Sequence, residues 1–209
     1  MKKKIWLIMV VALLILAGGV IALLRFTGGS RTSIDNTPEP DVSGTSKVLV
    51  AYFSWSGNGQ QMAHWIAEET GGDLFRILTE EPYGEDFDST AERAQAELND
   101  GTRPALSVHI DPKVMAQYDT IYLGFPVWWY DLPTPVWTFL EEYDLSGKMI
   151  IPFFSHNGSS DGANSLNRIT ELANGASVRV ADAFSIRGNR VSDAEKQVKE
   201  WAALQNGRT

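Results

Sequence analysis

The chain has 209 residues, of which 44% are hydrophobic and 21% are charged, a composition that fits one globular domain and would make two domains crowded. Its formal net charge of −8 argues against binding to nucleic acid, because the neutralisation of phosphates requires clustered lysines and arginines. The absence of cysteine excludes disulfides, thiol catalysis and iron–sulfur clusters, and with only three histidines (His64, His109 and His156) we expect no metal site.

The N-terminus has the pattern of a membrane anchor. Three lysines at positions 2–4 precede Ile5–Leu24, a run of twenty residues without a charge. As a helix with a rise of about 1.5 Å per residue, this run would span roughly 30 Å, the thickness of the hydrocarbon core of a bilayer. We therefore predict an anchor in residues 1–25, with the rest of the chain on the outer face of the cytoplasmic membrane. A cleaved signal sequence, which would make the protein secreted, is the main alternative.

Residues 26–46 are predicted to form a flexible linker, because they are rich in Gly, Ser, Thr, Pro and Asp and contain almost nothing to bury. Residues 47–209 are then predicted to form the folded domain. Five of the 18 basic residues but only three of the 26 acidic ones precede Lys47, which leaves this domain with a formal net charge of −10. The domain is thus more acidic than the whole chain.

Short apolar runs alternate with helical patterns from residue 47 onward. Strands are predicted at 48–53, 74–78, 120–125, 148–155 and 177–183, and helices at about 62–70, 88–99, 134–141, 164–173 and 193–204. Five strand–helix units of this kind predict an α/β fold, with a parallel sheet covered by helices on both faces. In such sheets, ligands bind beyond the carboxyl ends of the strands.

The loop after the first strand, here called the first loop, has the composition of a phosphate site. Its glycines allow a tight turn, its hydroxyl and amide groups add donors, and a helix begins directly after it. No lysine follows Gly59, which excludes a nucleoside triphosphate loop, and Met62 occupies the third glycine position of the dinucleotide motif. An ordinary turn with a Ser or Asn helix cap is the alternative. The candidate residues are Ser54, Trp55, Ser56, Gly57, Asn58, Gly59 and Gln60.

Three consecutive aromatic residues follow the third strand, in a segment here called the aromatic loop. Large planar rings at this edge can stack on a flat aromatic ligand, which adds about 0.5–1.5 kcal/mol beyond their burial. The alternative is that Trp128 or Trp129 packs against the sheet, and we expect at least one ring to cover ligand and the other to join the core. The candidate residues are Pro126, Val127, Trp128, Trp129 and Tyr130.

The segment after the fourth strand, residues 155–162, is here called the polar loop. It is rich in Gly, Ser and Asn, and it can close over a ligand with backbone donors and carbonyls. Ser56, His156 and Asp161 raise the possibility of a hydrolase, but the Gly-x-Ser-x-Gly motif of such enzymes is absent from the sequence. The candidate ligand-binding residues are Ser155, His156, Asn157, Gly158 and Gly162.

Three segments together resemble the flavodoxin-like family, in particular its bacterial short-chain branch. They are KVLVAYFSWSGNGQQMA, YDTIYLGFPVWWYDLPTPVWTFLE and GKMIIPFFSHNGSSDG, and they follow one another in the family's order between Lys47 and Trp201. The resemblance implies a flavodoxin-like three-layer fold, with a five-stranded parallel sheet in the order 2-1-3-4-5. It also implies FMN as a noncovalent cofactor.

Within this resemblance, the first loop would surround the phosphate of FMN. Gly59 departs from the family, which usually has Thr or Ser there, and the missing hydroxyl bond would weaken phosphate binding by about 0.5–1.5 kcal/mol. The aromatic loop would flank the isoalloxazine ring, and the polar loop would close its other side. The residues implied to hold the phosphate are Ser54, Ser56, Asn58 and Gln60, with Gly57 supplying the turn.

The resemblance implies electron transfer by a flavin, and no catalytic residue of the protein's own. The first hypothesis is an electron carrier that serves redox partner proteins at the membrane. Its acidic surface would attract basic partners, and its acidity would lower the reduction potential of the step that forms the fully reduced flavin. The second is an FMN-dependent NAD(P)H:quinone oxidoreductase, because residues 125–130 also resemble the flavin loop of that group of enzymes. The third is a binding module without flavin, which the Gly59 departure keeps open.

Overall fold

The structure, a computed structural model, describes residue 42, residues 44–158 and residues 160–207. The predicted membrane anchor at residues 1–25 and nearly all of the predicted linker at residues 26–46 lie outside the described residues. Among the residues that are described, no helix combines the length and the apolar character needed to cross a membrane.

Parallel strands form the sheet of the domain. Their order is β2-β1-β3-β4-β5, with β6 also paired to β4, which confirms the expected strand order 2-1-3-4-5. Strand β1 is buried along its whole length, as its unbroken apolar sequence predicts. The strands are β1 (Val48–Tyr52), β2 (Asp73–Arg76), β3 (Thr120–Pro126), β4 (Met149–His156), β5 (Ser177–Val178) and β6 (Phe184–Arg187).

Two apolar layers separate the sheet from the helices. Leu49 of β1 belongs to the layer that contains Phe139 and Ile169, whereas its neighbour Val50 belongs to the layer that contains Met62. This alternation follows from the period of two along a strand, and it confirms that helices cover both faces. The helices are α1 (Asn58–Thr70), α2 (Phe87–Asp100), α3 (Pro112–Met115), α4 (Thr134–Glu142), α5 (Ala163–Leu172) and α6 (Glu195–Asn206).

The fifth position of the sheet is divided between two short strands. β5 pairs with the start of β4, and β6 pairs with its end. Between them the chain makes a 3₁₀ turn at Val180–Asp182. The sequence-based prediction of one strand at 177–183 therefore ended too early, and the carboxyl end of this position lies at Arg187.

Helices α1 and α2 both begin at the carboxyl edge of the sheet, because each follows the end of a parallel strand. Gly57, with a φ of 87°, starts α1. The carboxylate of Asp86 caps α2 by accepting a hydrogen bond from the backbone N–H of Ser89 at 2.9 Å. The first turns of two helices therefore lie at this edge.

Candidate functional site

A cavity of about 750 Å³ lies at the carboxyl edge of the sheet, and all three loops contribute to its wall. The candidates in this wall are Trp55, Ser56, Asn58, Pro126, Val127, Trp128, Trp129, Ser155, His156 and Asn157. Tyr130 and Gly158 instead line a neighbouring cavity of about 520 Å³, which shares His156 with the first. The candidates that line neither cavity are Ser54, Gly57, Gly59, Gln60 and Gly162.

The first loop presents a helix N-terminus without a cap. Gly57 adopts a left-handed backbone, and no side chain of the described part of the chain caps α1. The N–H groups of the first turn also have no partner within the helix. The hydroxyl oxygen of Ser54 is buried and has no hydrogen-bond partner among the residues that the structure describes. Such a set of donors, together with the positive end of the helix dipole, favours an anion.

Gly59 is explained by the close approach of α1 to the chain before it. A Cβ atom at this position would lie 3.2 Å from the carbonyl oxygen of Phe53 and 3.2 Å from the Cβ of Ser54. Both distances are shorter than ordinary van der Waals contacts, so a side chain here requires the first loop to shift. The tight packing of the first loop against α1 therefore explains why position 59 carries no Thr or Ser hydroxyl.

The aromatic loop is a tight turn with an unusual backbone. Trp128 and Asp131 exchange two backbone hydrogen bonds, of 3.1 and 2.8 Å. The two residues between them, Trp129 and Tyr130, both have positive φ, at 48° and 64°, which is the pattern of a type I′ turn. Bulky residues rarely adopt this conformation, and each adds strain of about 1–3 kcal/mol that the surrounding structure must offset.

The two indole rings of the aromatic loop have different surroundings. Trp128 packs edge-on against Phe53 and Tyr83, with both centroid distances at 5.2 Å, so its ring is the one that joins the core. Trp129 is 47% exposed, and its indole N–H donates to the carbonyl oxygen of Ala91 at 2.9 Å. Stacking of the Trp129 ring on a ligand stays a prediction.

A buried carboxylate fixes the residues beneath the aromatic loop. Glu97 accepts hydrogen bonds from the Tyr83 hydroxyl at 2.5 Å, the Thr134 hydroxyl at 2.6 Å and the Arg93 Nε at 2.8 Å. Burial and the neighbouring carboxylate raise the pKa of Tyr83. The three donors belong to α2, α4 and the segment before α2, so the hydrogen bonds to Glu97 tie these segments together. This cluster therefore holds Tyr83 against Trp128.

His156 is the titratable side chain that both cavities share. Its Nδ1 accepts a hydrogen bond from the backbone N–H of Gly158 at 2.8 Å, so in the neutral ring the proton lies on Nε2. Burial, with the charge of Arg187 as a second cause, lowers the pKa of His156 below its ordinary value. The hydrogen bond accepted by Nδ1 and the direction of the pKa shift both favour the neutral ring, which can donate a hydrogen bond through Nε2.

Two segments that the sequence-based analysis did not single out also line the main cavity. One is the part of α2 from Phe87 to Gln95, which includes Ala91, and the other is the pair Gly188 and Asn189 after β6. The rule that ligands bind beyond the carboxyl ends of strands predicts the second segment only when the end of the fifth strand is known. Because that strand was predicted to end at residue 183, Gly188 and Asn189 were not recognised as candidates. The contribution of α2 depends on tertiary packing, for which its sequence carries no signal.

The sequence profile of the family described as Flavodoxin matches residues 47–203 of the chain. Among curated proteins, no significant match is found.

Solved structures of three flavoproteins are similar to this chain. The flavoprotein from Bacteroides uniformis is 32% identical, with a TM-score of 0.62, over 75% of this chain and 97% of its own. A flavoprotein from Bacteroides eggerthii is 27% identical, with a TM-score of 0.58, over 73% and 98% of the two chains. A flavoprotein from Lactobacillus acidophilus, solved in complex with FMN, is 25% identical, with a TM-score of 0.55, over 70% and 96%.

Proposed function

The chain belongs to the flavodoxin family, and on that premise we propose that it is an FMN-binding electron carrier. The observation that carries the proposal is the convergence of three loops on one cavity, where an uncapped helix N-terminus stands beside aromatic rings. The related flavoprotein from Lactobacillus acidophilus, solved with FMN, supports FMN as the flavin.

The residues present fit the phosphate end of FMN. The buried Ser54 hydroxyl has no partner in the described chain, and the left-handed Gly57 opens the loop so that backbone N–H groups remain available. Ser54, Ser56 and Asn58 would hold the phosphate together with the first turn of α1. The aromatic loop and His156 would border the ring system, because they line the same cavity.

When bound, FMN would supply reversible transfer of one or two electrons, so the chain needs no acid or base of its own. The protein's residues bind and orient the cofactor and exclude water from it. The Trp129 ring, tied to Ala91 of α2, joins the aromatic loop to that helix across the cavity wall. His156, with its tautomer set by Gly158, offers an Nε2–H donor in the same wall.

The second candidate function is an FMN-dependent reductase of quinones. The neighbouring cavity of about 520 Å³, which shares His156 with the main one, favours it because a second ligand could bind there beside the flavin. The two functions differ in their use of NAD(P)H. Rapid oxidation of NADH coupled to a quinone would favour the reductase, whereas a carrier should exchange electrons with proteins and oxidise NADH slowly.

We also propose that residues 1–25 hold the domain at the outer face of the cytoplasmic membrane. The uncharged run Ile5–Leu24 behind three lysines supports this location. The partners would be redox proteins with basic surfaces, because the domain is acidic. Protease added to intact spheroplasts should remove the domain from the membrane fraction, and full protection of the domain would contradict the outward orientation.

The visible absorption spectrum of the purified full-length protein tests FMN binding. A yellow protein that releases FMN on denaturation is the expected result. A colourless protein that also fails to take up added FMN would reject the redox function and favour the binding module.

A further inference from the structure

Arg76 is a buried cation directly behind the first loop. It ends β2, is 3% exposed, and lies opposite Tyr52 in the register of the sheet, two residues before Ser54. Its Nη2 donates to the carbonyl oxygen of Ser54 in a long contact of 3.5 Å. Its Nε and Nη1 have no hydrogen-bond partner among the described residues.

An uncompensated buried charge destabilises a protein, because the charge has lost its water and gained no partner. Arg76 takes part in none of the ion pairs of the described residues. The residue that it contacts, Ser54, also carries a buried hydroxyl for which the described residues supply no partner. Both unsatisfied groups therefore lie at the same end of the sheet as the uncapped first turn of α1, and all three favour an anion.

We infer that Arg76 is a positioning residue that makes the first loop selective for a flavin carrying a phosphate. The inference rests on the proposed function. Arg76 lines neither cavity, so it acts from behind the loop, through the Ser54 carbonyl and through its charge. That charge stabilises a phosphate dianion at the loop and has no effect on a flavin that lacks phosphate.

The test compares FMN with riboflavin, which has the same ring system without the phosphate. Apoprotein is prepared from the full-length chain, and each flavin is titrated while its fluorescence quenching is followed. Arg76→Met removes the charge and keeps a long side chain. It should weaken FMN binding by about tenfold or more, because the phosphate loses a nearby positive charge. Riboflavin binding should stay within about twofold of the parent, because riboflavin carries no charge for Arg76 to attract. Arg76→Lys should retain part of the preference for FMN, because it keeps the charge but loses the planar donors.

The matched control is Lys196→Met, which removes one positive charge from a side chain that is 87% exposed on α6. It should leave the ratio of FMN to riboflavin affinity unchanged. An equal loss of both flavins in Arg76→Met, or an unchanged ratio, would overturn the inference while leaving the proposed function intact. A parent protein that binds neither flavin would instead overturn the proposed function, and the inference with it.

Thermal unfolding of the apoprotein gives a readout that a purely structural arginine would move in the opposite direction. Arg76→Met should unfold at the same temperature as the parent or at a higher one, because a buried charge without an ion-pair partner among the described residues has been removed. Inorganic phosphate should raise the unfolding temperature of the parent apoprotein but not that of Arg76→Met. A lower unfolding temperature in Arg76→Met, with the same response to phosphate, would assign Arg76 a structural role and overturn the inference.

Discussion

Trp128 and Trp129 are neighbours in the chain, but Trp128 packs against the core whereas Trp129 is half exposed in the wall of the main cavity. Trp128→Ala removes a ring that packs on Phe53 and Tyr83, and should lower the free energy of unfolding by about 3–5 kcal/mol. Trp129→Ala removes a half-exposed ring and should lower it by less than about 1 kcal/mol, but should weaken FMN binding by about threefold to tenfold through lost stacking. Urea unfolding and flavin titration measure the two effects.

The backbone at Trp129 supplies a control for this prediction. Because its φ is 48°, Trp129→Gly should be more stable than Trp129→Ala by about 1 kcal/mol, while both lose the ring and bind flavin equally weakly. Full retention of flavin affinity in both variants would show that the ring does not touch the cofactor.

The pKa of His156 depends on a neighbouring positive charge. The charge of Arg187 is one cause of its lowered pKa, so Arg187→Gln should raise the pKa of His156 toward its ordinary value, as measured by NMR on the apoprotein. A native pKa below the unfolded one means that the unfolded chain binds more protons between these two values. His156 therefore lowers the stability of the fold as the pH falls below about 6.5, the ordinary histidine value. An unchanged pKa in Arg187→Gln would show that burial alone shifts it.

The start of helix α5 depends on a glycine for two reasons. Gly162 has a φ of 77°, and a Cβ there would lie 2.5 Å from the ring of Phe154. Gly101, at the end of α2, has a φ of 64°, and no atom of the described residues that could clash lies within 4 Å of its Cβ position. Gly101→Ala should therefore show the backbone strain alone, about 1 kcal/mol, whereas Gly162→Ala should lose about 1–3 kcal/mol more through overpacking.

Urea unfolding of both glycine variants measures this difference. Equal losses of stability would mean that Phe154 moves aside without cost, and that the polar loop is less tightly packed on β4 than the structure indicates.

The alternation of apolar runs and helical patterns was sufficient to predict five of the six described α-helices and four of the strand positions to within a few residues, but it did not predict the short α3 at Pro112–Met115. The divided fifth position was not predictable in this way, because a short 3₁₀ turn between β5 and β6 interrupts the strand without a proline or glycine to mark it. As a result, the sequence-based prediction missed two residues that line the main cavity, Gly188 and Asn189, although they follow the end of a strand. The loops that the sequence did single out carry strong local signals, namely glycines before a helix and consecutive aromatic residues.

Long-range packing supplied the features that no local pattern encodes. Arg76 ends a short strand with no motif around it, and whether its Nε and Nη1 find a partner among the described residues depends on which residues surround it in the fold. The contact between Trp129 and Ala91 joins segments that are 38 residues apart. Such groups become visible only when the burial and the partners of each polar atom are known.

At the scale of the whole molecule, the proposed carrier should recognise its partners through charge. Residues 47–209 carry a formal net charge of −10, and an acidic protein attracts a basic partner before contact is made. The first turns of α2 add two exposed acidic residues, Asp88 and Glu92, to the wall of the cavity. A partner that receives electrons from the flavin would approach this edge.

The salt dependence of electron transfer tests this recognition. The reduced full-length protein is mixed with a basic cytochrome c, and the bimolecular rate should fall by about tenfold or more as the ionic strength rises from about 10 mM to 0.5 M, because screening shortens the reach of each charge. The double variant Asp88→Asn/Glu92→Gln should show a shallower dependence. Its matched control is Glu69→Gln/Asp100→Asn, which removes two exposed charges from the last turns of α1 and α2, at the opposite edge of the sheet, and should keep the steep dependence. A rate that does not change with salt, or equal slopes in the two double variants, would show that partners do not approach over the cavity.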